Sequence, residues 1–370
     1  MTADTHTPPR TLDPARVEAF AGRLMAAYTD SLVTLLVDLG YRTGLLEALA
    51  AGDGTSAEVA ARAGLAERYV RECLGGLVTA GVVEYSPATG SYSLPAEHAA
   101  CLTGGGPLDL APMSRMTGLL GRHVGEVAEA FRTGGGVPYS AFRPEFTDVM
   151  DEANRGLFDG HLLDDVVPLA GGLPQRLAQG TGVADVGCGT GHAVNLLARA
   201  YPRSRFVGYD FSADAIARAR AEAADWGLAN AAFEVCDATE VPVDPPFGAV
   251  LAFDAIHDQA DPAGVLARVH RALEPGGVFL MLDIRAASAL EDNLGNPFAP
   301  WLYGVSTLHC LTVSLAQGGA GLGAVWGEQR ARQMLAAAGF TDVEVHEVPD
   351  DPLDSVYVAR KPRAGHGSPL

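Results

Sequence analysis

The sequence predicts an α/β protein: a mostly parallel sheet with helices on both faces, preceded by a mainly helical domain. Three observations lead there. From Val183 onward, short apolar strand-like runs alternate with stretches of helical periodicity, the pattern that a parallel sheet with crossover helices requires. The run Val183-Ala184-Asp185-Val186 ends in the turn Gly187-Cys188-Gly189-Thr190-Gly191 and feeds a helix beginning near His192. The first hundred residues instead carry helix caps, helical stripes and one hairpin.

Taken in order, residues 1–10 read as a disordered tail. Two helices are expected between Thr11 and Ala51. Asp13-Pro14 is a helix start, and Ser31 to Leu49 puts Leu32, Leu35, Leu36, Leu39 and Leu46 on one apolar stripe, suited to a core or a subunit contact. Thr55-Ser56-Ala57-Glu58 caps a short helix, Gly64-Leu65 turns, and Ala66 to Ala80 forms a second helix. Val82–Tyr85 and Ser91–Leu94 close a hairpin. Together they make a winged helix spanning 11–105. Its second helix sets Arg68 and Arg71 against Glu67 and Glu72, whereas a DNA-reading helix needs basic excess.

Residues 106–178 read as a helical linker. Gly134-Gly135-Gly136 beside Tyr139 and the apolar-periodic run Phe146–Val167 suit either a lid over a site or a plain connector. The main domain, 179–362, then supplies forward strands at Val183–Val186, Arg205–Tyr209, Ala232–Val235, Ala249–Phe253 and Val278–Asp283, with helices near 192–201, 213–227 and 262–273. Val343–Val348 and Ser355–Ala359 are the last strands, and 363–370 is a tail. Between the fifth strand and the sixth lies an insert, 285–327, rich in aromatic residues.

Forty-five acids against 26 bases give a net charge of -19, which argues against nucleic acid and anionic membrane surfaces as partners of the whole chain. Five cysteines without a Cys-x-x-Cys pair argue against a disulfide framework and suit a reducing cytoplasm. No uninterrupted apolar run approaches the roughly 18 residues of a membrane span. A soluble cytoplasmic protein is expected. The ten histidines are scattered without His-x-x-x-His or a tight acid cluster, so no metal site is expected.

Ligands of such sheets bind beyond the carboxyl ends of the strands. At the glycine turn the third glycine falls one place too early for the dinucleotide pattern Gly-x-Gly-x-x-Gly, and Asp185 at the strand end suits a cationic ligand. The turn resembles motif I of the class I S-adenosylmethionine-dependent methyltransferases, matched at Asp185, Gly187, Gly189 and Gly191. That resemblance implies a Rossmann-like seven-stranded sheet with its last strand antiparallel, and S-adenosyl-L-methionine as cofactor. It places Asp210 on the ribose hydroxyls, Phe211 on the adenine face or in the core, and Asp237 with Ala238 near the adenine amino group. Phe253 and Asp254 join the cofactor-binding set, Asp254 to orient either the methionine part or His257.

The stretch Phe253-Asp254-Ala255-Ile256-His257-Asp258-Gln259 resembles the His-Asp segment of small-molecule O-methyltransferases, in which the histidine takes a proton from a substrate hydroxyl. His257 is thereby the catalytic candidate, with a helix-capping histidine as the competing reading. The Trp that follows His-Asp in the family is replaced here by Gln259-Ala260. Tyr139 and the insert residues Trp301, Tyr303, His309 and Trp326 are the substrate-pocket candidates; the loop acids Glu291 and Asp292 are a further base or ligand option. The resemblance implies a small-molecule acceptor and a homodimer joined through the winged-helix domain, which also helps cover the substrate. Two other functions remain open: a ligand-sensing winged-helix transcription factor, and an enzyme that binds the cofactor for a non-methylating, C- or N-methylating reaction.

Overall fold

The structure, a computed structural model, describes residues 12–103, 106, 108–349 and 351–363. The tails expected at 1–10 and from 364 onward lie outside the described residues. The chain divides into two compact units, Met1–Thr103 and Gly104–Leu370, so the segment 106–178 belongs to the same unit as the sheet.

In the first unit, the two helices expected before Ala51 are one long helix, α1 (Pro14–Thr43), followed by a short one, Leu45–Ala50. Asp13 caps α1 by accepting from the Ala15 N–H at 3.0 Å, and no proline interrupts the chain between Pro14 and Gly44, whose φ of +69° ends the helix. Leu46 consequently leaves the expected stripe and is buried in the small core with Leu49, Val59, Val70, Leu74 and Leu77. On α1 itself Val17, Phe20, Leu24, Met25, Tyr28 and Leu32 are exposed. By length and composition this helix is sufficient to cross a membrane, although residues such as Asp30 and Asp38 leave it without an uninterrupted apolar run.

The helix-turn-helix follows as expected. Thr55 and Glu58 form a reciprocal capping box on Ser56–Ala63, and the second helix runs Glu67–Thr79. Arg68 pairs with Glu72 and Arg71 with Glu67, so both cations of that helix are held by acids of the same helix. The wing pairs β1 (Glu84–Ser86) with β2 (Ser91–Ser93), antiparallel.

The second unit is organised by seven strands: β3 (Gly182–Val186), β4 (Arg205–Asp210), β5 (Ala231–Val235), β6 (Phe247–Phe253), β7 (Leu273–Ile284), β8 (Thr341–Val348) and β9 (Asp351–Arg360). Their order is β5-β4-β3-β6-β7-β9-β8; β9 is antiparallel to both its neighbours, and the pairs from β5 through β7 are parallel. Strand residues alternate between two cores. Val183, Phe206, Leu251, Leu280 and Val358 pack on one face; Ala184, Val250, Phe279, Met281 and Tyr357 pack on the other. The crossover helices are His192–Ala200, Ala213–Asp225 and Pro262–Ala272, the last two capped by Ser212 and Asp261.

The helices before the sheet, among them Ala111–Gly121, Val124–Thr133 and Glu145–Leu157, share a core with Val313 of the insert. Glu145–Leu157 continues as a π-helical stretch, Phe158–Val166. In the glycine run, read as a lid hinge or a plain connector, Gly134 and Gly135 are exposed and Gly136 alone is packed. A Cβ on Gly136 would stand 1.9 Å from the Thr312 carbonyl oxygen, and the Val137 N–H donates to Thr312 Oγ1 at 2.8 Å.

Candidate active site

A cavity of about 480 Å³ opens beyond the carboxyl ends of β3, β4, β5 and β6 and is walled on the other side by helices of 106–178 and by the insert. This is an ordinary size for a small-molecule site.

Its floor is the glycine turn. Gly187, Gly189 and Gly191 have φ of +77°, +52° and +74°, a backbone that other residues seldom adopt. A Cβ on Gly187 would meet Ala255 at 2.5 Å, and one on Gly191 would meet Phe233 at 2.4 Å. Gly189 has nothing within 4 Å of its Cβ position, so its bare backbone faces open space. Asp210, at the end of β4, accepts from the Gly189 N–H at 3.0 Å and the Ser212 N–H at 2.8 Å, which fixes its carboxylate against the turn. Beside it Phe211 is exposed and meets the Tyr139 ring edge-on at 5.2 Å. Asp237 and Ala238 line the cavity at the end of β5, with Asp237 Oδ1 accepting from the Thr239 N–H at 2.8 Å.

The acids toward the other end carry few partners. Asp185 is buried, its Oδ1 unpaired, and burial followed by the nearby Asp210 pushes its carboxyl up to about 7. Asp254 sits at φ +50°, its N–H held by the Leu282 carbonyl at 2.9 Å. Burial and then Asp283 push its carboxyl up to about 7 as well. Asp351 and Asp354, which the sequence reading did not single out, also line the cavity. Burial, then Asp254 and Asp351, drive Asp354 well above the ordinary carboxylate range. Partnerless buried carboxylates at a cavity wall suit a cationic ligand.

His257 lies past β6 on the cavity wall and is buried. Register explains its partner: Phe253 of β6 pairs with Leu282 of β7, which brings the loop after β6 alongside Asp283. His257 Nδ1 and Asp283 Oδ1 are 2.7 Å apart, and that same oxygen accepts from Trp326 Nε1 at 3.0 Å and the Ile284 N–H at 2.8 Å. Nε2 of His257 is turned toward Asp258 Oδ1, 3.2 Å away. Burial acts to lower the imidazole pKa, but Asp283 and Asp258 outweigh it and the net shift is well upward.

Of the substrate-pocket candidates, Tyr139 and Trp301 line the cavity. Burial pushes the Tyr139 hydroxyl up to about 12. Trp326 does not reach the cavity wall: its indole is buried and spent on Asp283. Tyr303 is also off the wall, on the helix Ala299–Val305. His309 is fully buried behind the wall and stacked on Phe146 with ring centroids 3.5 Å apart; burial lowers it to about 4. Glu291 and Asp292 are exposed and away from the cavity. Asp283 had one sequence signal that went unread, a lone acid closing the apolar run Val278–Leu282. No metal site is expected from the spacing of the histidines and acids; in space His257, Asp258 and Cys310 each offer a ligand atom within 4.8 Å of the others. No local spacing betrays that trio.

Residues 177–339 match a methyltransferase-domain family and residues 31–104 an Rv2258c-like winged HTH domain. Among curated proteins, the chain is 32% identical over 168 residues to a ubiquinone/menaquinone biosynthesis C-methyltransferase of Desulfotalea psychrophila, covering 44% of this chain and 66% of that protein. It is 33% identical over 131 residues to a trans-aconitate 2-methyltransferase of Methylobacterium nodulans, covering 35% and 43%. The chain thus spans less than two thirds of the length of either relative. Among solved structures it is similar to human N-acetylserotonin methyltransferase in complex with its cofactor (TM-score 0.68, 20% identity, 95% of this chain and 99% of that one). It is also similar to an O-methyltransferase family protein of Burkholderia thailandensis (TM-score 0.65, 16% identity, 96% and 100%). With the sheet order, the glycine turn and the N-terminal helix-turn-helix, these matches show an S-adenosylmethionine-dependent methyltransferase domain over residues 177–339 preceded by a winged HTH domain over residues 31–104.

Proposed function

We propose that the protein methylates a hydroxyl group of a small-molecule acceptor in specialised metabolism, with S-adenosyl-L-methionine as donor and His257 as general base. The observation that carries this reading is the Asp283–His257 pair at the cavity wall, with Nδ1 tied down and Nε2 turned toward Asp258, another residue of that wall. A buried histidine that merely capped a helix would not need a buried carboxylate behind it, and the next helix is already capped by Asp261.

The cofactor, when bound, supplies a methyl group on a cationic sulfonium. The site suits it on two counts: the bare backbone at Gly189 and the partnerless carboxylates of Asp185 and Asp254. In this reading Asp210 receives the ribose hydroxyls, Phe211 and Ala238 border the adenine, and Asp237 takes its amino group. Gly187, Gly191 and Phe253 shape the floor. Tyr139 and Trp301 bound the acceptor. In its neutral form, which the upward shift of its pKa moves to higher pH, His257 accepts the acceptor's hydroxyl proton at Nε2 while Asp283 stabilises the imidazolium, a contribution of about 10²–10⁴-fold. Alignment of the reactants contributes more, since effective molarities of about 10⁵–10⁸ M are reached when two groups are held in line.

Homodimerisation through the exposed apolar face of α1 belongs to the same proposal, supported by Phe20, Leu24, Tyr28 and Leu32. The acidic pairing of Arg68 and Arg71 weighs against a DNA-reading role. The test is a metabolite screen with methyl-labelled cofactor. Label on an oxygen of a small molecule, with S-adenosylhomocysteine released, is expected. Label on carbon or nitrogen overturns the hydroxyl assignment, and cofactor binding without any methyl transfer overturns the function.

A further inference from the structure

The methyl-transfer reading leaves Asp258, His309 and Cys310 without a task, yet they gather around the free side of His257. Nε2 of His257 is 3.2 Å from Asp258 Oδ1, and His309 Nδ1 is 3.8 Å from Asp258 Oδ2. His257, Asp258 and Cys310 each bring a ligand atom within 4.8 Å of the other two. Ligand atoms around a tetrahedral zinc ion stand about 3.3–3.8 Å apart, given bond lengths of about 2.0–2.3 Å. The pocket of donors is therefore close to the dimension of a bound ion before any side chain moves.

An independent observation points the same way. His309 is completely buried, and neither of its ring nitrogens has a hydrogen-bond partner. Such atoms are uncommon in folded proteins and cost free energy unless something meets them. His309 is not free to turn away, since it is stacked on Phe146 and edged by Phe142 and Tyr139. The outer arrangement fits too: metal-binding histidines usually give their second nitrogen to a carboxylate, as His257 gives Nδ1 to Asp283, itself pinned by Trp326.

We propose that His257, Asp258 and Cys310, with His309 as the fourth donor, form a site for a borderline-soft divalent cation of the Zn²⁺ class. Two imidazoles, a carboxylate and a thiolate exclude Mg²⁺ and Ca²⁺, which take oxygen donors. On binding, the Cys310 Sγ–H bond breaks, a sulfur–metal bond forms, and the proton leaves to buffer. The ion occupies the Nε2 lone pair that proton abstraction needs, so occupancy holds His257 out of catalysis until a chelator removes the metal. Metal binding itself stands apart from the methyl-transfer reading.

The test uses the full chain, stripped with chelator, and Co²⁺ as a spectroscopic probe. One equivalent is expected to bind with a sulfur-to-cobalt charge-transfer band and intense tetrahedral bands, all displaced by Zn²⁺. Cys310→Ala should abolish the charge-transfer band, and Asp258→Asn should weaken Co²⁺ binding by about tenfold or more. Cys236→Ala, a cavity-lining cysteine outside the donor set, should leave both unchanged. Absence of the band in the unmodified chain, its persistence in Cys310→Ala, or its loss in Cys236→Ala overturns the site. Unchanged Co²⁺ affinity in Asp258→Asn removes the carboxylate and overturns the set as drawn, even where Cys310→Ala proves unfolded. S-adenosylhomocysteine calorimetry on the same metal-free samples reports on the methyltransferase reading separately, so either can fail alone.

Discussion

His257 Nδ1 lies 2.7 Å from Asp283 Oδ1, and both side chains are buried. In the proposed mechanism Asp283 sets the tautomer, leaving Nε2 as the basic nitrogen, and steadies the ring when the proton arrives. As a positioning residue it should show a split between kcat and binding. Asp283→Asn is expected to lower kcat by about 10²-fold or more, with the cofactor Kd and the acceptor KM little changed. Trp326→Phe, which removes only the 3.0 Å indole contact, should lower kcat less. A matching rise in KM, or an unchanged kcat in Asp283→Asn, would dismiss this role.

Asp210 is braced by two backbone N–H groups, so its carboxylate is already oriented before any ligand arrives. Hydrogen bonds to charged groups contribute about 1.5–3 kcal/mol each. Asp210→Ala should therefore weaken S-adenosylhomocysteine by at least about tenfold in calorimetry. Equal affinities would remove the ribose assignment.

Asp185 gives the ligand-free protein a pH signature. Its folded carboxyl is raised to about 7, above the unfolded value, so the folded state holds the proton more tightly. Stability is thus greatest where the group is protonated and falls as pH rises from about 4 toward about 7. The full effect is at most about 4 kcal/mol. Urea unfolding at pH 5 and pH 8 should show this fall in the unmodified chain and a smaller one in Asp185→Asn. A cationic ligand should restore part of the loss at pH 8.

Gly136 and Gly125 make opposite predictions although both are glycines of the helical segment. Alanine at Gly136 would clash with the Thr312 backbone and should destabilise by about 1–3 kcal/mol. Gly125 lies inside the helix Val124–Thr133 with open space at its Cβ position, and alanine there should stabilise by about 0.5–1 kcal/mol. Denaturant melts of the two variants decide it. A neutral Gly136→Ala would restore the hinge reading.

The apolar face of α1 predicts self-association. Sedimentation should find a dimer, and Leu24→Asp with Leu32→Asp should yield monomers with unchanged far-ultraviolet circular dichroism. A monomeric unmodified chain would discard this role for the face. Association that appears only with lipid vesicles would assign the face to membrane, which its length and composition also permit.

Much of the fold was written locally. The five forward strands and three crossover helices fall within a few residues of their expected places, and the glycine turn and strand-end acids Asp185, Asp210, Asp237 and Asp254 meet at one cavity. Periodicity, caps and turn chemistry operate over a handful of residues, so the sequence by itself determines them. Where local signals were silent, the reading slipped: nothing near Ser31 announces whether one helix continues or a second begins.

The tertiary structure alone decided which side chains share a site. Trp301 and Trp326 are both aromatic residues of the same insert, yet one borders the cavity and the other is buried against Asp283. His257 meets Asp283 because β6 and β7 pair in one particular register, and Cys310 reaches Asp258 through the packing of the insert. A one-residue slip in a strand reverses every side chain's face, and helix packing turns on volumes scattered along the chain. Those distances are set by contacts between residues far apart in sequence, so the strand ends were legible while the chemistry assembled above them was not.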